Sequence, residues 1–293
     1  MEWFEVNVEG VGSLKDAVMN RLFELGAEGI NESDGPSGIR IRAFFQKTLK
    51  GSVTEQMTLY LQSLREMYPD IQLTIEFRPV PDENWADRYQ QFYKAQRLTH
   101  LFFLKPRWDQ DTIVPDEMIP IVMDAGQAFG TGLHATTKLS IRMIQSAVGL
   151  FSEPSRVQMI DVGTGSGILS IAASKLGVEK ITAIDIDPIA VGTAQENCTF
   201  NGCSNVRILN QEFENLRETF DLIVSNILLD THLKLVESYR DHLSSNGILI
   251  LSGILAHQRQ ELDETFRTHG FIEEFSETLQ EWAGIAYTRR ETT

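Results

Sequence analysis

Cysteine is nearly absent from this sequence of 293 residues, which contains only Cys198 and Cys203. Two thiols are too few for a disulfide framework or for a four-ligand zinc site, and their scarcity is typical of a reducing compartment. The six histidines show neither H-x-H nor H-E-x-x-H spacing. The sequence therefore predicts neither a disulfide-stapled secreted domain nor a metal site.

Long apolar runs and an excess of basic residues are also lacking. No stretch approaches the roughly 18 residues that span a membrane, and the N-terminal MEWFEVNVEG has no basic start of a signal peptide. We therefore expect a cytoplasmic protein that does not bind membranes.

Lysine and arginine number 26 against 41 acidic residues, a net charge of -15. Direct nucleic-acid binding is not expected, because it needs a positive patch. The acidic surface suits basic partners such as lysine-rich proteins, or serves solubility alone.

The N-terminal residues 1–80 predict a small α+β domain. Segments that alternate between apolar and polar residues predict strands, and segments with helical periodicity lie between them. The predicted strands are WFEVNVEG, GIRIRAFF and IQLTIEFRPV, and the predicted helices are SLKDAVMNRLFELG and VTEQMTLYLQSLREMY. This order is that of a ferredoxin-like split βαβ unit.

The pattern changes after this domain. Residues 81–115 predict a linker helix, DENWADRYQQFYKAQRL, and a connecting segment that includes the strand LFFLKPRW. Residues 116–293 predict the larger domain, and strands and helices alternate in it from residue 156 onward. Such alternation favours a parallel sheet with helices on both faces. The expected fold class is therefore α/β and Rossmann-like, with the small α+β domain at the N terminus.

A glycine-rich turn stands between a buried strand and a helix in VQMIDVGTGSGILSIAA, the context of a nucleotide-binding turn. Its glycines, Gly163, Gly165 and Gly167, do not match the dinucleotide fingerprint G-x-G-x-x-G. Asp161, just before the first of them, would repel a pyrophosphate and attract a ligand with an ammonium and a sulfonium. S-adenosylmethionine carries both groups and no phosphate, and glycines allow the backbone to approach it. The loop therefore favours S-adenosylmethionine over NAD.

Two further acids follow the next strand, KITAIDI. A carboxylate at Asp185, about 20 residues beyond the glycine loop, can accept hydrogen bonds from both ribose hydroxyls, as in NAD sites. Asp187 precedes Pro188, so it is in the position of a helix N-cap. We predict that Asp185 binds the ribose and that Asp187 caps the next helix. The alternative is a purely structural role for both.

Several stretches together resemble one family of class I methyltransferases, those of the large-subunit ribosomal protein eleven, over nearly the whole chain. Two of these stretches are specific, FGTG-x-H-x-TT and SGIL. The matching segments are DENWADRYQQFYKAQRL, MDAGQAFGTGLHATTKLS, MIDVGTGSGILSIAASKLG, AIDIDPIAVGTAQENCTFNG, IVSNILLDTH, SGILAHQ and EWAGIAYTRR. The resemblance implies a seven-strand methyltransferase sheet in residues 116–293 and a substrate-recognition domain in residues 1–80.

The resemblance also implies an activity: methyl transfer from S-adenosylmethionine to lysine side chains and the N-terminal amine of that ribosomal protein. The cofactor contacts carried over by position are Thr137, Gly163, Asp185 and Asn226. We add Asp161 and Gly165 from the glycine loop, and Phe129 and Gly130 from the FGTG stretch. The sequence departs from the family pattern at Ala135, Thr164 and Leu229, where proline, cysteine and alanine are common.

Asn226 is the candidate catalytic residue. It follows the strand FDLIVS, at the carboxyl end where parallel sheets bind ligands. The attacking amine must be neutral, whereas a lysine amine with a pKa of about 10.4 is mostly protonated at pH 7. The Asn226 carbonyl can accept a hydrogen bond from the amine, and ILL after it supplies an apolar wall; the alternative is a turn residue. Thr136 and Thr137 can cap the next helix, bond the methionine group, or do both, and His134 is either a general base or a hydrogen-bonded loop residue.

Other functions stay open at this point. The first is a methyltransferase of the same fold that acts on a different protein lysine or on a small amine. The second is a nicotinamide-dependent oxidoreductase, against which Asp161 and the position of the third glycine argue. The third is a ribosome-assembly protein that holds the cofactor without turnover, against which the intact SNILL argues.

Overall fold

The structure is a computed structural model that describes residues 3–35, 38–69, 73–80, 93–124 and 132–289. The chain divides into two compact units, Met1–Phe92 and Tyr93–Thr293. This division differs from the predicted boundaries, because it places residues 93–115 in the larger unit and not in a linker.

The smaller unit is built on a four-stranded sheet with the order β2-β3-β1-β4, in which every neighbouring pair is antiparallel. Its elements are β1 (Trp3–Glu9), α1 (Lys15–Glu24), β2 (Gly29–Gly35), β3 (Gly38–Gln46), α2 (Lys50–Met67) and β4 (Thr74–Val80). Val6 of β1, Val18 of α1 and Met57 of α2 are fully buried in one shared hydrophobic cluster. This arrangement confirms the predicted ferredoxin-like fold.

A three-stranded sheet begins the larger unit, with β5 (Gln96–Arg97), β6 (Phe102–Pro106) and β7 (Ile119–Met123) in that order. Strand β5 pairs with β6, so the predicted linker helix is wrong at Gln96–Arg97; its residues 82–92 lie outside the described residues. The turn after β5 is held by Thr99 Oγ1, which accepts from the Leu101 and Phe102 N–H groups at 3.2 and 3.1 Å. Strand pairing and this turn override the local helical pattern.

The larger unit also contains a seven-stranded sheet. Its elements are α3 (Ala135–Val148), β8 (Gln158–Val162), α4 (Ile168–Lys175), β9 (Lys180–Asp185), α5 (Pro188–Phe200), β10 (Val206–Asn210), β11 (Phe220–Asn226), α6 (Leu229–Lys234), α7 (Val236–His242), β12 (Leu243–Leu255), α8 (Arg259–Thr268), β13 (Phe271–Leu279) and β14 (Trp282–Arg289). The strand order is β10-β9-β8-β11-β12-β14-β13. The first five strands are parallel, and β14 lies antiparallel to both β12 and β13. This sheet confirms the Rossmann-like α/β class.

Asparagine side chains of α5 and the residue after it join the two sheets of the larger unit. Asn201 accepts from the Val122 N–H at 2.9 Å and donates to Val122 O at 2.6 Å. Asn197 Oδ1 accepts from the Asp124 N–H at 2.9 Å. Strand β7 is thereby bound to α5, and β6 pairs with β7, so the segment before residue 116 is held in this unit.

The strand order reverses between β8 and β11, which makes their carboxyl ends a topological switch point. In open α/β sheets, ligands bind in the crevice at such a point. Asp161, Asp185 and Asn226 lie at or next to the carboxyl ends of β8, β9 and β11. Among the described residues, no helix is long and apolar enough to cross a membrane.

Candidate functional site

The glycine loop between β8 and α4 is in a backbone conformation that only glycine adopts readily. Gly163, Gly165 and Gly167 have φ angles of +73°, +54° and +82°. A Cβ at Gly163 would lie 2.9 Å from Ile227 Cγ2, and one at Gly167 would lie 3.1 Å from Ala194 Cβ. Side chains are therefore disfavoured by conformation at all three positions and by close neighbours at Gly163 and Gly167, and the loop presents bare backbone at the switch point.

Asp161 is fully buried behind this loop. Its Oδ2 accepts hydrogen bonds from Thr164 Oγ1 at 2.7 Å and from Ser170 Oγ at 2.8 Å. Its Oδ1 accepts none from any residue that the structure describes. Burial raises the pKa of Asp161 to about 6, although the two hydroxyl groups lower it. Because a buried carboxylate is costly without a positive partner, this group fits the ammonium and sulfonium of S-adenosylmethionine.

Asp185 contacts the same loop from the end of β9. Its Oδ2 accepts from the Gly165 N–H at 2.9 Å, and its Oδ1 accepts from the Asp187 N–H at 3.0 Å. Each carboxylate oxygen retains a further acceptor position, which fits ribose hydroxyls. Asp187 Oδ1 accepts from the Ile189 N–H at 2.8 Å, and Pro188 follows Asp187 at the start of α5. The prediction that Asp187 caps this helix is confirmed.

Two asparagines that no sequence motif indicated support the loop and Asp185. Asn210 Nδ2 donates to Asp185 O at 2.9 Å. Asn197 Nδ2 donates to Ser166 O at 2.9 Å, inside the glycine loop. Asn197 is fully buried in α5. A polar residue between the apolar positions of that helix was the one signal in the sequence that could have identified it.

Asn226 is the last residue of β11 and lies opposite Ser252 of β12. Its side-chain Oδ1 is buried and accepts no hydrogen bond from the described part of the chain. The two leucines of the predicted apolar wall ILL lie in different surroundings. Leu228 is 67% exposed, whereas Leu229 is only 5% exposed and belongs to the hydrophobic core. The departure from the family's alanine at Leu229 therefore falls in the core, not on the surface of the site.

The N-cap of α3 is not one of the two threonines that the sequence suggested for this role. His134 is the N-cap of this helix, since its Nδ1 accepts from the Thr136 N–H at 3.3 Å; neither threonine caps it. The His134 ring packs edge-on against Trp282, with ring centroids 4.9 Å apart, and burial lowers the pKa of His134. These contacts favour the hydrogen-bonded loop residue over the general base. Ala135 begins the helix, at the position where proline is also favoured.

Thr137 is fully buried, and its Oγ1 has no hydrogen-bond partner among the described residues. Its neighbour Thr136 is hydrogen-bonded to Ser252, the residue that lies opposite Asn226. Ser252 Oγ donates to Thr136 O at 3.4 Å. Phe129 and Gly130 lie outside the described residues. The other predicted site residues, Asp161, Gly163, Gly165, Asp185 and Asn226, lie together at the carboxyl edge of the sheet.

Comparisons with known proteins cover nearly the whole chain. Residues 2–290 match the family described as ribosomal protein L11 methyltransferase (PrmA). Relatives of that name include a Listeria monocytogenes protein, 33% identical over 99% of both chains, and an Anoxybacillus flavithermus protein, 30% identical over 97% of this chain and 98% of the relative. A crystal structure of ribosomal protein L11 methylase from Lactobacillus delbrueckii subsp. bulgaricus is similar with a TM-score of 0.62 and 32% identity, over 68% of this chain and 100% of that one.

Proposed function

We propose that this chain, which belongs to the ribosomal protein L11 methyltransferase family, transfers methyl groups from S-adenosylmethionine to amino groups of ribosomal protein L11. The acceptors are lysine side chains and the N-terminal amine. One observation carries the proposal: the buried Asn226 Oδ1, at the switch point of the sheet, accepts no hydrogen bond from the described residues. An amine N–H is the kind of donor that this oxygen needs.

S-adenosylmethionine, when bound, supplies an electrophilic methyl group on a positively charged sulfur. The cofactor-binding residues that we assign are Thr137, Asp161, Gly163, Gly165, Asp185 and Asn226, together with Phe129 and Gly130 of the undescribed segment. Asp161 balances the positive charge, the glycines let the cofactor come close to the backbone because they carry no side chain, and Asp185 accepts from the ribose. The buried, incompletely bonded oxygens of Asp161 and Thr137 support this assignment.

Asn226 acts on the amine. Its carbonyl accepts one amine hydrogen, which orients the nitrogen lone pair for in-line attack. A carbonyl carries no net charge, so it does not favour the protonated, unreactive amine as a carboxylate would. The exposed Leu228 next to it offers an apolar contact for the lysine stem. Removal of water from the amine at this contact favours its neutral form.

We assign substrate recognition to the small domain, residues 1–80, and catalysis to the methyltransferase domain that the sequence places at residues 116–293. The partner is ribosomal protein L11, free or on the ribosome, and the reaction takes place in the cytoplasm. The net charge of -15 suits a basic protein substrate better than nucleic acid.

The test is methylation in vitro. Purified enzyme, recombinant L11 and S-adenosylmethionine are incubated, and L11 is analysed by intact-mass and peptide mass spectrometry. We expect methyl groups on lysine and on the N-terminal amine. Calorimetric titrations with S-adenosylmethionine and NAD, run in parallel, should show binding of the former alone. Unmodified L11 alongside methylation of another lysine-bearing protein would instead support the alternative of a different protein substrate.

A further inference from the structure

The strand opposite Asn226 is irregular at the point where the two pair. Strand β12 faces Asn226 at Ser252, and its register with β14 shifts between Leu251 and Ile254. Gly253 has a φ angle of +84°, and a Cβ there would lie 2.3 Å from Ile227 O. The irregularity therefore brings β12 against the turn that follows Asn226. It also leaves Ser252 outside the pairing between β12 and β14, and the buried Ser252 carbonyl accepts a hydrogen bond from a side chain.

His232 of α6 supplies that donor. Its Nε2 lies 2.9 Å from Ser252 O, and because a carbonyl only accepts, Nε2 carries the hydrogen. The neutral ring then accepts at Nδ1 from the Tyr239 hydroxyl, at 3.1 Å. Both side chains are fully buried, and burial lowers the pKa of His232 to about 4. The imidazole is therefore neutral at pH 7, and both of its nitrogens are hydrogen-bonded.

The hydrogen bond from His232 connects two parts of the candidate site. His232 follows Asn226 in the chain, with only a short turn and the start of α6 between them. Ser252 lies on the neighbouring strand β12, and its Oγ donates to Thr136 O at the first turn of α3, next to Thr137. The turn after Asn226, strand β12 and the start of α3 are thus joined by one network.

We propose that His232 is a positioning residue for methyl transfer: as a neutral donor to Ser252 O, it holds the turn after Asn226 against β12 and so keeps Asn226 Oδ1 in place for the amine. The inference rests on the proposed function, because the orientation of the Asn226 side chain affects turnover only if an amine reacts there. His232 does not touch the amine and exchanges no proton with it. Its effect should therefore fall on turnover more than on cofactor affinity.

The experiment compares three variants of the full chain. His232→Leu removes the donor and leaves Ser252 O buried without it; His232→Gln keeps a side-chain N–H donor. Leu262→Ala is the matched control, since Leu262 is fully buried in the hydrophobic core that contains Tyr239 and has no polar group. Thermal unfolding, the dissociation constant for S-adenosylmethionine, and kcat and KM for L11 methylation are measured for each variant.

We expect His232→Leu to lower kcat by roughly 10- to 100-fold, the size of effect that a small misplacement of a reacting group causes. Its cofactor affinity should stay close to that of the unaltered protein, and His232→Gln should recover most of the turnover. The side-chain amide signal of Asn226 in ¹⁵N NMR should shift in His232→Leu and not in Leu262→Ala, which tests the contact independently of activity.

Three results would overturn the inference. The first is an unchanged kcat in His232→Leu, and the second is an equal loss in Leu262→Ala. The third is a His232→Gln protein no more active than His232→Leu. Failure of the unaltered enzyme to methylate L11 would count against the proposed function, whereas the NMR comparison would still decide whether His232 holds Asn226.

Discussion

The carboxylate of Asp185 and the backbone of Gly165 are joined by a hydrogen bond of 2.9 Å from the Gly165 N–H to Oδ2. The acid at the end of β9 therefore holds the glycine loop that follows β8. In the proposed site Asp185 shapes this loop and also presents acceptor oxygens in the crevice. Asp187, only two positions further on, bonds to the N-terminus of its own helix. The two acids thus allow a matched comparison.

Substitution of Asp185 by alanine should weaken cofactor binding more than it weakens the fold. We expect Asp185→Ala to cost about 1–3 kcal/mol of binding free energy, the range for hydrogen bonds to a charged group. Asp187→Ala removes an N-cap and should cost about 1 kcal/mol of stability with little change in affinity. Calorimetry with S-adenosylmethionine and thermal unfolding of both variants separate the two effects. Equal losses of affinity would contradict the roles assigned to the two acids.

Cofactor affinity should depend on pH through Asp161. Burial raises the pKa of this carboxyl from its ordinary 3.8 to about 6. In the free protein the folded state binds the proton more tightly than the unfolded state, so this group lowers stability as pH rises through that window. The difference corresponds to about 3 kcal/mol. A bound cation favours the ionised form, so affinity for S-adenosylmethionine should rise between pH 5 and pH 7.

Asp161→Asn provides the control for this pH dependence. The amide has nearly the same shape and does not titrate, so the variant should bind the cofactor more weakly at pH 7 and with a flatter pH profile. Dissociation constants are measured by calorimetry from pH 5 to pH 8 for both proteins. Parallel profiles for the two proteins would show that another group titrates.

Local sequence signals were sufficient for much of the sheet and for the positions of several candidate site residues in it. The buried strand before Gly163 and the acid at Asp185 follow one another within a single βαβ unit, so their proximity is a consequence of chain order. Strand β2 was missed, because its sequence GINESDG has no alternating pattern and it pairs only at the edge of its sheet, with β3. Strand β5 was missed because its pairing, and not its composition, makes it a strand.

The hydrogen bonds around Asn226 could not be predicted from local sequence signals. His232 and Ser252 come from different elements, and they meet because β12 is irregular at Gly253. No periodicity in the sequence marks such a place. The cap at His134 is similar, since histidine is not among the preferred N-cap residues and its ring is also held against Trp282.

Removal of the small unit should separate substrate recognition from cofactor binding. A protein without Met1–Phe92, the unit that the structure delimits, should bind S-adenosylmethionine because the assigned contacts all lie in Tyr93–Thr293. It should lose methylation of L11, because the recognition that we assign to residues 1–80 is gone. Cofactor binding serves as the control for folding. Full-rate methylation of L11 by the shortened protein would assign the small unit another role.

Asn226→Ala should lower turnover more than cofactor affinity. If the side-chain carbonyl orients the amine mainly in the transition state, its loss lowers kcat and kcat/KM together. Steady-state kinetics with L11 and calorimetry with S-adenosylmethionine measure the two quantities. A variant that loses affinity and turnover in equal proportion would place Asn226 in cofactor binding alone.

Asn226→Asp changes the charge at this position with little change in shape. A carboxylate beside a lysine amine favours the protonated amine, which cannot attack. The same charge lies near a positively charged cofactor, so affinity should be at least that of the unaltered protein. The variant should therefore turn over slowly at pH 7 and recover as pH rises, because the amine is then forced into its neutral form. Asn215→Asp, the same change at an exposed residue, should leave the pH–rate profile unaltered. If Asn226→Asp is as active as the unaltered enzyme at pH 7, Asn226 is only a turn residue, and the catalytic assignment moves to the FGTGLHATT segment.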